Sequence, residues 1–381
     1  MSENQQKIFF ESRGIEFFLS NKSDKENIVT QVMSYFKSHG LENAINLREA
    51  TQDSSLVIAF SLREDYQSQW APDWDTTQLF KALSLKGFKV KHDLDKEILV
   101  GMLLAPIPFQ FPNYDEFHSA IQIRHHTVNA GYLAALNFDT SATERPEDYW
   151  HYDEDAGFLL KQGQSIIDAL IKATQPESME NAYSFSCYRA TEYVILLAIA
   201  RKLNKVNPEL LKSLESRSQK KAIRSGEFHE VFLKEYGSIE QPLPMKYYVP
   251  GDRVWFRNPD SRSSDIPGYE GSWVIYLGNN LFTNFWKRDQ PFTLETKCVE
   301  IYHWKDGAYL DDSSELLMNE NVVEACVAKT LAEPKEFEKI LQRMMRYRDP
   351  KGVYDQGGCI DTSRESPRLV CPGTSDIKIS H

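Results

Sequence analysis

The chain has 381 residues, of which 41% are hydrophobic and 12% aromatic, enough for two or three domains with a sizeable core. A formal net charge of −11 argues against nucleic acid or an anionic membrane as a general partner. The sequence has no apolar run of membrane-spanning length, and its first residues lack the apolar stretch of a secretory signal. We therefore expect a soluble protein made in the cytoplasm, with non-classical secretion left open.

The five cysteines are odd in number and include no CxxC pair, which argues against a disulfide framework and against a structural zinc site. Cys359 and Cys371 lie in a segment rich in Gly, Ser, Pro and Asp, where oxidation could pair them. The composition of this segment favours instead a reduced, flexible C-terminal tail over residues 347–381.

Residues 1–104 are predicted to form a small N-terminal α+β domain. Its expected elements are strands at 15–20, 55–62 and 97–104, an amphipathic helix at 24–38 and a short helix ending at Gly87. The segment contains no catalytic constellation, so a recognition, regulatory or pro-segment role is expected. Three prolines within residues 105–117 indicate a linker to the next domain.

Residues 105–346 are predicted to form a core of helices, then an antiparallel sheet, then closing helices. The expected helices lie at 115–138, 161–175, 187–203, 208–217, 226–235 and 313–346. Short runs rich in Val, Ile, Tyr, Phe and Trp predict strands at 252–258, 271–278, 280–287 and 298–307. The Asn pair at 279–280 predicts a tight hairpin, because Asn accepts the positive φ that such turns require.

Cys187 is the candidate nucleophile. Ser184 and Ser186 are both suitable N-caps, so the thiol is expected in the first turn of a helix. There the free backbone N–H groups and the helix dipole lower the pKa of a thiol. The following run, YVILLAIA, is apolar on all sides, which predicts the central helix of the domain. A thiol at the start of a central helix packed on a later sheet is the papain-like arrangement; a buried structural cysteine is the alternative.

Four polar residues of the predicted sheet are candidate partners of the thiol. Asn284 falls between two aromatic residues on a predicted inward face, and Glu270 and Ser272 share one face at the start of another strand. His303 lies on the apolar face of the strand predicted at 298–307. The amide, the carboxylate and the imidazole each also have a structural interpretation: a satisfied core amide, a solvated loop carboxylate and a half-buried histidine.

Three segments carry a resemblance to a known family: AYSFSCYRATEYVILLAIA at 182–200, VPGDRVWFRNPD at 249–260 and GSWVIYLGNNLFTNF at 271–285. They resemble the small transglutaminases of spore-forming Bacillus bacteria, and the resemblance covers residues 108–345. It implies an α+β fold with a papain-like core of the NlpC/P60 type, in which a central helix packs on an antiparallel sheet. It also implies the joining of glutamine side chains to lysine amines, with release of ammonia and without calcium.

Residue by residue, the resemblance gives Cys187 the place of the nucleophile. The glutamate that serves as the family's base falls at Ser272, with Glu270 two residues earlier on the same face. A second family glutamate falls at Ser186, and the family's histidine falls at Asn284. The thiol and the scaffold are therefore kept while the base is displaced, which leaves deamidation, hydrolysis or loss of catalysis as alternatives to crosslinking.

The expected reaction is acyl transfer from a protein glutamine through a thioester on Cys187. Glu270 is expected to deprotonate the incoming amine, with His303 as its substitute, while Asn284 orients the base or binds the oxyanion. A dry aromatic cleft would protect the thioester from water. The residues predicted to bind the substrate are Trp255, Ser272, Trp273, Phe285 and Trp286.

The expected partners are proteins with accessible glutamine and lysine, and no cofactor, metal, nucleic acid or membrane is expected. The rival hypotheses are a glutamine deamidase, a peptidase or amidase of the NlpC/P60 type, and an inactive binding protein on the same scaffold. The peptidase class usually pairs its cysteine with a histidine on the next strand. No histidine lies between His229 and His303, which counts against that class.

Overall fold

The computed structural model describes residues 13–19, 22–52, 55–139, 144–222, 225–350 and 357–379. Within these ranges the chain combines α-helices with several separate β-sheets, which confirms the predicted mixture of the two. Buried hydrophobic side chains form three clusters: under the N-terminal sheet, around a central helix, and between a second sheet and the last helices. No helix among the described residues is long and apolar enough to cross a membrane.

The N-terminal sheet has the strand order β2-β3-β1-β4. Its strands are β1 (Ile15–Leu19), β2 (Ile45–Gln52), β3 (Ser55–Leu62) and β4 (Phe109–Phe111). β1 pairs antiparallel with β3 and parallel with β4. The strands predicted at 15–20 and 55–62 are confirmed as β1 and β3. β2 was not predicted, because the charged residues of this edge strand mask its apolar alternation.

Helix α1 (Lys25–Ser38) buries Ile28, Val32 and Phe36, which confirms the predicted amphipathic helix. It is followed by α2 (Glu64–Trp70), α3 (Leu79–Ala82) and α4 (Lys91–Leu103). The strand predicted at 97–104 is wrong, because these residues belong to the buried half of α4. A short apolar run does not by itself distinguish a buried strand from a buried helix.

The two parts of the chain share packing across the boundary predicted at residue 104. β4 belongs to the N-terminal sheet, and α5 (Tyr114–Leu133) places Phe117 in the first hydrophobic cluster and Ile123 in the second. Residues 105–117 are therefore a strand and the start of a helix, not the predicted linker. Their prolines lie in the turns that flank β4, where no ladder hydrogen bond is lost.

Helix α7 (Cys187–Val206) is the central helix of the second part, as predicted, and most of its residues are buried. It packs on α5 and on α6 (Ile166–Thr174). The next helices are α8 (Pro208–Ser218) and α9 (Ser225–Phe232). Two small ribbons complete this region: β5 (Asn137–Phe138) with β8 (Ser184–Phe185), and β6 (Trp150–Asp153) with β7 (Gly157–Leu160).

The second sheet has the order β12-β11-β10-β15-β9, with every neighbouring pair antiparallel. Its strands are β9 (Leu233–Tyr236), β10 (Arg253–Arg257), β11 (Gly271–Gly278), β12 (Leu281–Phe282) and β15 (Arg364–Pro367). β10 and β11 confirm two predicted strands, and positive φ angles at Asn279 and Asn280 confirm the hairpin. The strand predicted at 280–287 ends at Phe282, because the chain then turns away from the sheet. Both α5 and α7 pack on β11.

The C-terminal segment is not the flexible tail that its composition predicted. β15 lies between β9 and β10, in the interior of the second sheet, and its residues Arg364 and Glu365 are buried. Nη1 of Arg253 donates to Oε2 of Glu365 at 2.7 Å, and Nδ1 of His229 lies 2.9 Å from the other carboxylate oxygen. The polar residues that predicted disorder supply buried ion pairs to the sheet.

All five cysteines are free in the structure. Cys359 contacts Cys298, with 3.4 Å between their Sγ atoms, and Cys371 lies 3.2 Å from Oγ of Ser119. The fold therefore places Cys359 beside Cys298 and not beside Cys371, so it does not favour the Cys359–Cys371 disulfide that oxidation could have produced.

Helix α10 (Leu294–Gly307) occupies the segment where the sequence predicted a strand at 298–307. The β-branched and aromatic residues of this segment favour a strand, but Thr293 and Thr296 form a capping box that starts a helix. The predicted strand is therefore wrong. The remaining elements are β13 (Ala308–Leu310), β14 (Leu316–Met318), α11 (Glu320–Ala332) and α12 (Pro334–Met344), the two helices confirming the helical segment predicted at 313–346.

We expect Glu365→Gln to lower the free energy of unfolding by about 3 kcal/mol, because it leaves the buried Arg253 guanidinium without its counter-charge. Burial raises the pKa of Glu365, but its bonds to His229 and Arg253 outweigh this and hold it below the ordinary value. The difference in the free energy of unfolding between wild type and Glu365→Gln should therefore shrink as the pH falls through that lowered pKa. Urea unfolding of both proteins at several pH values measures this difference.

The matched control is Asp65→Asn, which removes the exposed partner of Arg63 and should cost less than about 1 kcal/mol. Equal losses for the two variants would show that the Arg253–Glu365 pair does not hold β15 in the sheet.

Candidate active site

The start of α7 faces a cavity with a volume of about 450 Å³. Cys187 is the first residue of the helix, and Ser186 is its N-cap, whose hydroxyl accepts a hydrogen bond from the backbone N–H of Arg189. This confirms the predicted position of the thiol. The walls come from the start of β11, the loop after β12, and helices α10 and α11.

The sulfur of Cys187 is half-buried and lies between two backbone donors. The N–H groups of Trp273 on β11 and Tyr188 on α7 hydrogen-bond to it, and the positive charges of Lys297 and Arg253 favour its thiolate. Burial nevertheless dominates and raises the pKa of the Cys187 thiol above the ordinary value. The predicted lowering of this pKa is therefore wrong for the free protein, because desolvation outweighs the helix start.

Lys297 and Glu300 form a charged pair inside the same cavity. They lie one turn apart on α10, with 2.9 Å between Nζ and Oε2. Lys297 is only 4% exposed, and its ammonium also sits over the ring of Phe292 at 4.0 Å. Sequence reasoning missed both residues because it predicted a strand over this segment. The capping box at Thr293 and Thr296 was the available signal.

Two further carboxylates, Glu320 and Glu324 on α11, also line the cavity. Glu320 accepts a hydrogen bond from the hydroxyl of Tyr269 at 2.7 Å, and Glu324 pairs with Lys287. Burial, followed by the contact with Glu320, raises the pKa of Tyr269, so this phenol stays protonated and donating. The cavity is therefore acidic along the α11 side.

Aromatic side chains supply much of the remaining wall. The ring centroids of Phe138 and Trp286 are 5.1 Å apart, and those of Tyr269 and Trp304 are 5.2 Å apart, each pair edge to face. Rings packed in this way present flat apolar surfaces to the cavity. The aromatic residues that line it are Phe138, Tyr269, Trp286, Phe292 and Trp304.

Ser272, Asn284 and Trp286 are the predicted partner and substrate residues that line the cavity with Cys187. Ser272 is buried, at the place where the resemblance puts a glutamate. The amide of Asn284 is engaged by its own loop: Nδ2 donates to the carbonyl of Gln290 at 3.0 Å, and its Oδ1 accepts from a backbone N–H at 3.2 Å. Asn284 therefore shapes the cavity wall.

Glu270 and His303, the two predicted bases, are not among the described residues that line the cavity. The carboxylate of Glu270 is exposed and accepts from the backbone N–H of Gly268 at 3.1 Å. His303 contacts α11, with both ring nitrogens engaged: Nδ1 is 2.7 Å from Asp306 Oδ2 and Nε2 is 2.7 Å from Thr330 Oγ1. The structure therefore does not bring His303 to the thiol.

Three predicted substrate residues pack outside the cavity lining. Phe285 is buried in the cluster around α7. The rings of Trp255 and Trp273 stack at 5.7 Å, and the Arg253 guanidinium lies 4.0 Å from the ring centroid of Trp273. This stack holds Trp273 in place. Trp273 thus contributes to the site through its backbone N–H, which contacts Cys187, and not through its ring.

A thiol at the start of a buried helix, facing an aromatic cavity with a lysine–glutamate pair, defines the class of site in which a cysteine accepts an acyl group. The family model for protein-glutamine gamma-glutamyltransferase matches residues 78–372. The chain belongs to this family, and its function is transglutamination: acyl transfer from glutamine side chains of proteins. The family implies protein substrates that offer glutamine and lysine.

Among solved structures, the transglutaminase from Geobacillus stearothermophilus without its C-terminal extension is similar to this chain. The identity is 18%, the match covers 56% of this chain and 98% of that one, and the TM-score is 0.39. No curated protein matches the chain at a significant level. The family assignment rests on the family model, which spans more than half of the sequence.

We expect Cys187 to be alkylated by iodoacetamide with a pH midpoint above that of free cysteine, because burial raises its pKa. Lys297→Met should move the midpoint higher still, since it removes a charge that favours the thiolate. The matched control is Lys287→Met, another lysine of the cavity whose charge is paired with Glu324. Mass spectrometry of the Cys187 peptide measures the rate. A midpoint below that of free cysteine would contradict the prediction.

Proposed function

We propose that the chain crosslinks proteins by forming a thioester between Cys187 and the γ-carbonyl of a glutamine. A single observation carries this proposal: the thiol, the Lys297–Glu300 pair and an aromatic wall line one cavity. In the first step the sulfur bonds to the carbonyl carbon and the carbon–nitrogen bond breaks. The thiol proton converts the leaving group to ammonia, which takes a further proton from water after it leaves.

Two features around the sulfur support this first step. The backbone N–H groups of Tyr188 and Trp273 already point at the sulfur, so they are close to where the carbonyl oxygen gains negative charge. The ammonium of Lys297 favours the thiolate over the thiol and thereby opposes the effect of burial. We assign the oxyanion site to the two N–H groups and the activation of the thiol to Lys297.

In the second step a neutral lysine amine attacks the thioester carbon and forms an isopeptide bond. The carbon–sulfur bond breaks to release the Cys187 thiolate, and the amine gives one proton to the general base. We assign the general base to Glu300, which lines the cavity beside Lys297, rather than to Glu270, whose carboxylate is exposed outside the lining. The acidic wall of Glu320 and Glu324 would attract the ammonium form of the donor lysine. The aromatic surfaces reduce access of water to the thioester and so favour the amine over hydrolysis.

We also propose that the core is papain-like, in the form found in NlpC/P60 domains. The support is that α7 starts at the thiol and packs on β11, a strand of the antiparallel second sheet. Placement of the protein in the cytoplasm and the role of residues 1–104 stay predictions from the sequence.

We expect Glu300→Gln to lower incorporation of a fluorescent primary amine into a glutamine-bearing protein by about 10²- to 10⁴-fold, the usual contribution of a general base. Glu270→Gln should stay close to the wild-type rate, because its carboxylate does not line the cavity. Cys187→Ala should abolish incorporation and gives the background. The initial rate of labelling, with circular dichroism to check folding, is the measurement.

The pattern of loss separates the alternatives. Loss in Glu270→Gln with retention in Glu300→Gln would return the base to Glu270. Release of ammonia without incorporation of the amine would identify a deamidase, and absence of both reactions in the folded wild-type chain would contradict the proposed chemistry.

A further inference from the structure

Side chains of three donor types meet between α10 and α11, and none of them is among the described residues that line the cavity. His303 and Asp306 lie one turn apart on α10, and Cys326 comes from α11. One potential ligand atom from each lies within 4.8 Å of the other two. We propose that this cluster binds a zinc ion, which clamps α10 to α11.

The hydrogen bonds of His303 prepare it for this role. Its Nε2 lies 2.7 Å from Oγ1 of Thr330, so Nε2–H can donate to that hydroxyl and leave the lone pair of Nδ1 free. Nδ1 lies 2.7 Å from Oδ2 of Asp306, a separation that requires a shared proton when no metal is present. A zinc ion replaces that proton and bonds both atoms. Threonine thus acts as the outer partner that orients the ligand.

The identity and access of the donors select the metal. A thiolate, an imidazole and a carboxylate are the ligand types that zinc prefers, whereas magnesium and calcium require oxygen alone. Zinc–ligand bonds of about 2.0–2.3 Å place neighbouring ligands within about 4 Å, so the cluster needs only small side-chain movements. His303 is 7% exposed, but Asp306 and Cys326 reach solvent. The Cys326 thiol releases its proton to water as it binds, and a water completes the tetrahedron.

The consequence of binding follows from the two helices involved. α10 carries Lys297 and Glu300, and α11 carries Val323 and Val327, all of which line the cavity of Cys187. A metal that joins the helices therefore fixes two walls of the cavity relative to each other. The cysteine spacing gave no zinc motif because the donors come from two helices and only one of the three is a cysteine.

The test is a titration of the full-length chain with Co²⁺, which reports thiolate ligation by a sulfur-to-cobalt charge-transfer band. The wild-type chain and Cys187→Ala should bind one equivalent and show the band. Cys326→Ser should lose it, and so should Asp306→Asn, whose carboxylate is partly exposed and whose replacement leaves the fold intact. Persistence of the band in Cys326→Ser, or its loss in Cys298→Ser alone, would overturn the proposal.

Zinc affinity and stability give two independent measurements. Competition with a chromophoric chelator should show that Thr330→Val weakens Zn²⁺ binding about 10- to 100-fold, the usual effect of removing an outer partner. Zn²⁺ should raise the thermal unfolding midpoint of the wild-type chain and of Cys187→Ala, but not that of Cys326→Ser. Equal affinity in wild type and Thr330→Val, or an equal thermal shift in Cys326→Ser, would contradict the assigned ligands.

Discussion

The buried guanidinium of Arg253 is the constraint on which the site depends. It pairs with Glu365 of β15 and lies over the rings of Tyr188 and Trp273, the two residues whose backbone N–H groups hold the sulfur of Cys187. Burying a cation without a counter-charge destabilises a protein strongly, so the buried Arg253 requires the carboxylate of Glu365 beside it. The C-terminal strand is thereby part of the support of the nucleophile, although it follows the thiol by more than 170 residues in the sequence.

The electrostatic character of the site results from burial opposed by local charges. Desolvation raises the pKa of the Cys187 thiol, while Lys297 and Arg253 lower it without cancelling the effect. The thiol is thus held mainly protonated in the free protein. An exposed thiolate, by contrast, would react readily with electrophiles. Activation then depends on what a bound substrate does to the charges of the cavity, above all to the Lys297–Glu300 pair.

Helices α10 and α11 concentrate the features that the family resemblance did not carry. They provide a lysine–glutamate pair and two further carboxylates to the cavity of the thiol, and a His–Asp–Cys cluster outside its described lining. The place of the family's basic glutamate holds Ser272, which lines the cavity but offers no carboxylate. The carboxylate that we propose as the base, Glu300, comes from a helix and not from the strand where the resemblance placed it. A fold can keep the same reaction when the required charged side chain is provided by a neighbouring secondary-structure element.

The sequence by itself determined the central helix, the position of Cys187 at its start and the hairpin at Asn279–Asn280, because capping, apolar runs and turn chemistry are local. It also determined the family, through motifs that surround the thiol. Tertiary structure decided whether 97–104 and 298–307 are helices, since short apolar runs suit either form when buried. It alone decided that residues 364–367 enter the sheet and that Lys297 and Glu300 line the same cavity as the thiol, because contacts between distant segments leave no local pattern.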